Sequence, residues 1–248
     1  MDKFAKIAFV CLFVCLLLKS CTSAPNNNTK SPVDELIKEM STVSNFSIIL
    51  YDMEFEENTL SKDIYRQKYQ IVTPKKDGEI DVKETGWKDV SEKFFQANVN
   101  NMGMEIASKV DGKLSKTAVP AGYSQYVGNP QYGQWSNSGG SSFWEFYGKY
   151  AMMSSLFNMM SPINRGSYDD YSRNYRNTNR PYYGTSGGTT YGTASTMKNR
   201  GTTSSWGKSQ SAFKSSVQKR VSRSSSSSTR TGRSSSSSYR SRGGGFGK

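Results

Sequence analysis

The sequence predicts an α+β fold, a small antiparallel sheet with flanking helices, followed by a long disordered tail rich in Ser, Arg and Gly. Three observations carry this expectation. Between residues 32 and 112 the apolar spacing runs helix, strand, strand, strand, helix. Hydrophobic residues make up 34% of the 248-residue chain, low for one that is globular throughout. Charge is segregated: residues 1–160 hold 17 basic and 18 acidic side chains, whereas residues 161–248 hold 16 basic and 2 acidic ones.

Residues 1–20 read as a targeting segment. Lys3 and Lys6 precede the 12-residue apolar run "IAFVCLFVCLLL" at 7–18. A span of the ~30 Å hydrocarbon core takes about 20 such residues, so this run has the length of a secretory h-region. Leu18, Lys19, Ser20 and Cys21 close it, and Leu at −3, a small residue at −1 and the cysteine itself form a recognisable pattern. The segment resembles the leader of bacterial lipoproteins. The resemblance implies a diacylglyceryl group on the Cys21 thiol, cleavage before Cys21 and acylation of the new amino terminus. One acyl chain binds a bilayer marginally, whereas two or more hold it stably. Lys19 departs from the uncharged residue usual at −2. Thr22 stands where lipoproteins retained at the inner membrane carry Asp, which implies the outer membrane in a Gram-negative cell. Residues 21–31, polar and Pro-containing, then read as a tether.

The small α+β domain is expected over residues 32–112. Ser31 reads as an N-cap with Pro32 at the first helical position, and Val33, Leu36, Ile37, Met40 and Val43 follow at helical spacing. "NFSIILYDMEFE", 45–56, is rich in β-formers and predicts a strand. In "IYRQKYQIV", 64–72, Tyr65, Tyr69 and Ile71 share a face, and Ile80 and Val82 face inward after the Asp77-Gly78 turn, which predicts a hairpin. Asp89 reads as the cap of a second helix whose face is Phe95, Val99, Met102 and Ile106, ending near Asp111-Gly112. Gly103 inside that helix costs about 1 kcal/mol relative to Ala.

Residues 113–160 are expected to form a Gly/aromatic segment with an apolar helix. "QYVGNPQYGQW" carries too many rings for a plain linker. It predicts an ordered loop packed on the small domain or, as an alternative, a binding platform of Tyr123, Tyr126, Tyr132 and Trp135 that stacks on carbohydrate or peptidoglycan. "SFWEFYGKYAMMSSLFNMM", 142–160, places Phe143, Phe146, Tyr147, Tyr150 and Met153 on one helical face, with Glu145 and Lys149 four apart on a solvated side. From 161 to 248 aliphatic patterning disappears, and a disordered basic tail is expected. "YVGNPQYGQW", "SFWEFYGKYA" and the terminal "GGGFGK" resemble segments of uncharacterised bacterial envelope proteins, a resemblance that implies no activity.

The composition narrows the chemistry. Histidine is absent, and the three cysteines, Cys11, Cys15 and Cys21, all fall in the first 21 residues, so no disulfide framework or zinc cluster is expected in the body. No spacing singles out a nucleophile with its base. Glu54 and Glu56 on one strand face read as a solvated acidic edge before they read as a catalytic pair. No phosphate-binding loop or calcium loop is present. The expectation is a non-enzymatic protein without cofactor or metal.

The tail carries the functional signal. Residues 171–248 hold 15 Lys or Arg and no acidic residue, and Arg220, Arg223, Arg230, Arg233, Arg240 and Arg242 are the expected polyanion contacts. In the cytoplasm such a tail would read as RNA-binding, but the leader puts it outside, so nucleic acid is not the expected partner. Anionic lipid, lipopolysaccharide or a cell-wall polymer is. The sequence thus predicts a lipid-anchored envelope protein with a structural or interaction role.

Overall fold

The structure, a computed structural model, describes residues 31–58, 60–75, 77–158, 163–185, 190–209 and 215. The α+β class is as expected. Helix α1 (Pro32–Glu39) starts on Pro at its first turn, with Asp34 and Glu35 near the positive end of the helix dipole. It buries Val33 and Leu36, and ends four residues before the predicted limit.

The sheet is antiparallel throughout. Strands β1 (Phe46–Glu56), β2 (Ile64–Pro74), β3 (Ile80–Glu84), β5 (Met104–Val110) and β6 (Lys113–Ser115) lie in the order β3-β2-β1-β5-β6. Short β4 (Lys88–Asp89) also pairs with β2, and β7 (Val119–Pro120) with β5. The predicted hairpin is β2–β3, closed around Asp77-Gly78, where Asp77 Oδ1 accepts the Glu79 N–H at 3.0 Å. In β1 the register slips at Tyr51. This bulge changes which positions point to which side: Phe46, Ile48 and Leu50 face one core before it, and Met53 faces the same core after it.

The sheet has a core on each face. One lies under α1 and α2 (Glu92–Asn98), where Val33, Leu36, Phe95 and Val99 cover Ile48, Leu50, Tyr65 and Tyr69. The other holds Ile49, Val72 and Ile80 beneath the aromatic residues that follow β7. Tyr65, Tyr69 and Ile71 do share the helix-covered side, and Ile80 and Val82 share the opposite one.

Three expectations are corrected. Ser91, not Asp89, caps α2, its hydroxyl accepting the Phe94 N–H at 3.2 Å, while Asp89 sits in β4 and binds Arg66. The predicted helix to residue 112 stops at Asn98, and the chain turns at Gly103 (φ 82°) into β5, an inner strand. Phe95, Val99, Met102 and Ile106 still reach one core, so helical spacing here reports a shared destination, not a shared helix. Likewise 142–160 is not one helix. Strand β9 (Ser141–Phe146) pairs with β8 (Gly133–Ser138), a single 3-10 turn spans Gly148–Tyr150, and α3 covers Ala151–Asn158. Phe146, Tyr150, Met153 and Phe157 meet in the core, whereas Phe143 and Tyr147 are exposed.

The boundary expected at 161 also moves. Asn164 caps α4 (Arg165–Asn174) by accepting the Ser167 N–H at 2.8 Å. Tyr171, Tyr182 and Tyr191 are buried with Tyr123, and the Tyr123 and Tyr191 hydroxyls lie 2.6 Å apart. Rings replace the aliphatic pattern whose absence suggested disorder: each buries about 150–250 Å². The chain then crosses back to the first face. Gly192 (φ 97°) passes so close to the Asn100 carbonyl that a Cβ would stand 2.3 Å from it. The Thr193 hydroxyl in α5 (Thr193–Arg200) donates to Val99 O and accepts the Met102 N–H. In α6 (Ser205–Lys208), Trp206 packs 5.7 Å from Phe95. Buried Asp52, at the β1 bulge, accepts the Ser205 and Trp206 N–H groups at 2.8 and 3.3 Å.

Candidate functional site

Cys21 and the tail arginines Arg220, Arg223, Arg230, Arg233, Arg240 and Arg242 lie outside the described residues. The aromatic platform is inside them and is not a platform. Tyr123, Tyr126 and Tyr132 are buried: Tyr126 meets Tyr132 and Phe157, Tyr132 meets Tyr150, and Tyr123 meets Tyr168, with ring centres 5.1–5.9 Å apart. Trp135 is half-buried, set edge-on to Trp144 at 5.1 Å with the Arg165 guanidinium over it at 5.8 Å. Burial pushes the Tyr123 and Tyr126 hydroxyls far above the ordinary phenol range, so both stay neutral. These rings are the packing of the second core.

Glu54 and Glu56 do not form a free carboxylate pair. Both bind Arg66 Nη1, at 3.1 and 3.3 Å, and Asp89 binds its Nε at 3.2 Å. The Glu54 bond, ahead of the opposing desolvation, raises the Arg66 pKa. This is a surface ion cluster on β1, β2 and β4, of the kind that contributes little to stability.

Two adjoining clefts carry more chemistry. The first, of about 410 Å³, lies between the β5–β6 edge and the C-terminal end of α4, with Ser108, Lys113, Lys116, Tyr171, Tyr175 and Arg176 among its walls. The second, of about 440 Å³, shares Val110, Ser124 and Arg176 with it and extends toward Asn129 and Gln131. Arg176 therefore stands between them. Its Nη2 donates to Tyr123 O at 3.1 Å and to the Tyr168 hydroxyl at 3.0 Å, and its guanidinium carbon lies 5.7 Å from both the Tyr168 and Tyr171 ring centres. Its Nε has no hydrogen-bond partner. Among the described residues no carboxylate reaches Arg176 within 4.0 Å. The lining of the first cleft contains three cations and no acidic residue.

Glu105 is buried beneath this region. Its Oε2 accepts the Gly122 N–H at 3.3 Å, and Oε1 makes no hydrogen bond of good geometry. Desolvation pushes its pKa up to about 7, against the Ser124, Ser108 and Ser47 hydroxyls, which favour the charged form. Ser108 and Ser124 line the first cleft. Burial likewise pushes the Tyr171 phenol up to about 12.

Sequence reasoning passed over Arg176 and Glu105. Arg176 lies in a stretch read as tail, and Glu105 in a stretch read as helix. Glu105 alternates with Met104 and Ile106 in a strand period that the helical spacing of its apolar neighbours masked. Among the described residues no group of three or more Asp, Glu, Cys or His residues could hold a metal, and no helix is long and apolar enough to cross a membrane. Comparison with protein-family models, curated proteins and solved structures gives no match.

Proposed function

We propose that this chain is a lipid-anchored protein of the bacterial cell envelope with a non-enzymatic interaction role. Acylated Cys21 holds one end in the membrane, and the basic tail contacts anionic lipid, lipopolysaccharide or cell-wall polymer, or an acidic protein partner.

One observation supports this reading: the first and last helices of the described body pack on the same face of the sheet. Ser31 opens α1 and Ser209 follows α6, and both helices cover the same side of the sheet through Val33, Leu36 and Trp206. Charge supports it. Residues 31–209 hold 20 basic and 19 acidic side chains, and residues 210–248 hold 9 basic and none acidic. A tail of that charge makes many weak, salt-sensitive contacts to a polyanion. The alternative, sugar stacking on Tyr123, Tyr126, Tyr132 and Trp135, lacks an exposed surface, since the three tyrosines are buried.

Intact mass of membrane-extracted protein is expected to show loss of residues 1–20 and added acyl mass on Cys21. The full chain is expected to bind vesicles containing anionic lipid and release them as salt rises, and a chain ending at Ser209 to bind them weakly. Unmodified Cys21, or binding unchanged by truncation and salt, would overturn the proposal.

A further inference from the structure

We propose that the paired clefts around Arg176 form a binding site for an acidic saccharide, one carrying a carboxylate or a phosphate, with the anionic group seated on the Arg176 guanidinium. The site is distinct from the tail and does not depend on it.

The charge argument is local. Arg176 is half-buried, and a buried charge ordinarily meets a carboxylate. Arg176 instead meets neutral acceptors, a backbone carbonyl and a phenol, which hold the fork in place without cancelling its charge. A fixed, uncompensated guanidinium is a preorganised receptor for a carboxylate or phosphate, which it matches bidentately. Lys113 adds a second cation at the rim, and no acidic side chain lines the first cleft to repel an anion.

The rest of the lining selects hydroxylated partners. Ser108, Asn177 and Thr178 offer donors and acceptors, and half-buried Tyr175 holds the Arg180 guanidinium 4.9 Å from its ring centre, a further cation beside the wall. Asn177 holds a left-handed backbone (φ 65°), which Asn tolerates better than most residues, and so places the polar loop after α4 at the mouth of the cleft. A volume of about 410 Å³ is within the range of small-molecule sites. The second cleft, which shares Val110, Ser124 and Arg176 with the first, gives room for a neighbouring sugar unit, whose hydroxyls rather than an anionic group suit its Asp111 wall.

The test uses the full mature chain and site-resolved NMR titration with three probes: glucuronate, glucose 6-phosphate and glucose. Saturable shifts at Ser108, Ser124 and Arg176 are expected with one or both anionic sugars, and binding about tenfold weaker or more with glucose. Arg176→Lys is expected to weaken the anionic sugars about tenfold, because an ammonium does not reproduce the fork. Lys113→Gln is expected to weaken them a few-fold. Lys113 has no ion-pair partner among the described residues, so this variant decides the matter if Arg176→Lys misfolds. The tail is unchanged in both variants, so a loss reports on the cleft alone. Absence of saturable shifts in the wild type, equal affinity for glucose, or wild-type affinity in both variants would overturn the proposal.

Discussion

At Glu105 a carboxyl group is shut away from water beneath a serine-lined wall, and this ties stability to pH. Its pKa rises from 4.5 to about 7 on folding, through desolvation. Between those values the folded protein holds a proton that the unfolded chain has released. The contribution is therefore complete below about pH 4.5, declines as pH rises, and is gone above about 7, with a slope approaching 1.4 kcal/mol per pH unit at most. The urea midpoint of the wild type is expected to fall over this window relative to that of Glu105→Gln, which keeps the shape and cannot titrate. Parallel curves for the two proteins would count against the assignment. Asp52 shows the opposite solution to burial: three backbone N–H groups, of Met53, Ser205 and Trp206, surround its carboxylate, so it serves as the anchor of α6. Neither role was legible in the sequence. Gly122, Ser205 and Trp206, which bind these two carboxyl groups, lie 17 to 154 positions away, which no local pattern encodes.

Elements with a strong period and a clear stop were read correctly: α1 from Pro32, β1, and the β2–β3 hairpin from Asp77-Gly78. Elements in which one core is reached by changing backbone were not. Residues 95–106 and 143–157 space their apolar side chains three or four apart, as a helix does, yet each passes between helix and strand. In the first case the deciding residue is Gly103, whose φ of 82° no helix accommodates, and whose N–H donates to Leu50 O at 2.7 Å. Gly103→Ala is expected to cost about 1–2 kcal/mol, the penalty of a left-handed backbone with a Cβ, read as a lower denaturation midpoint with an unchanged m-value. An unshifted midpoint would mean that the turn relaxes to another conformation. In the second case the deciding residues are Gly139 and Gly140 (φ 58° and 80°), a two-residue hairpin turn that the helical period masked. The β8–β9 hairpin that this turn closes, with Trp135 opposite Trp144, overrides the period.

The whole molecule is a sheet covered on both faces, closed by a chain that returns to where it began. Tyr171, Tyr182, Tyr191 and Trp206 each remove about 150–250 Å² from water, worth about 1.5–3 kcal/mol apiece before entropy is counted. Net stabilities of about 5–15 kcal/mol do not survive the loss of four such rings. A chain of residues 31–209 is therefore expected to keep its near-UV circular dichroism and a cooperative thermal transition, and a chain of residues 31–160 to lose both. A cooperative transition in the shorter chain would restore the boundary at 161. The sequence by itself determined the α+β class, the strand alternation and the segregation of positive charge toward the end. These follow from composition and short-range period, which local backbone geometry reads directly. Only the tertiary structure decided that Tyr123, Tyr126 and Tyr132 belong to a core and not a surface, that α6 is docked by Asp52, and that Arg176 stands without a counter-charge among the described residues between two clefts. Burial and charge pairing depend on which distant segments meet, and that is a property of the folded chain alone.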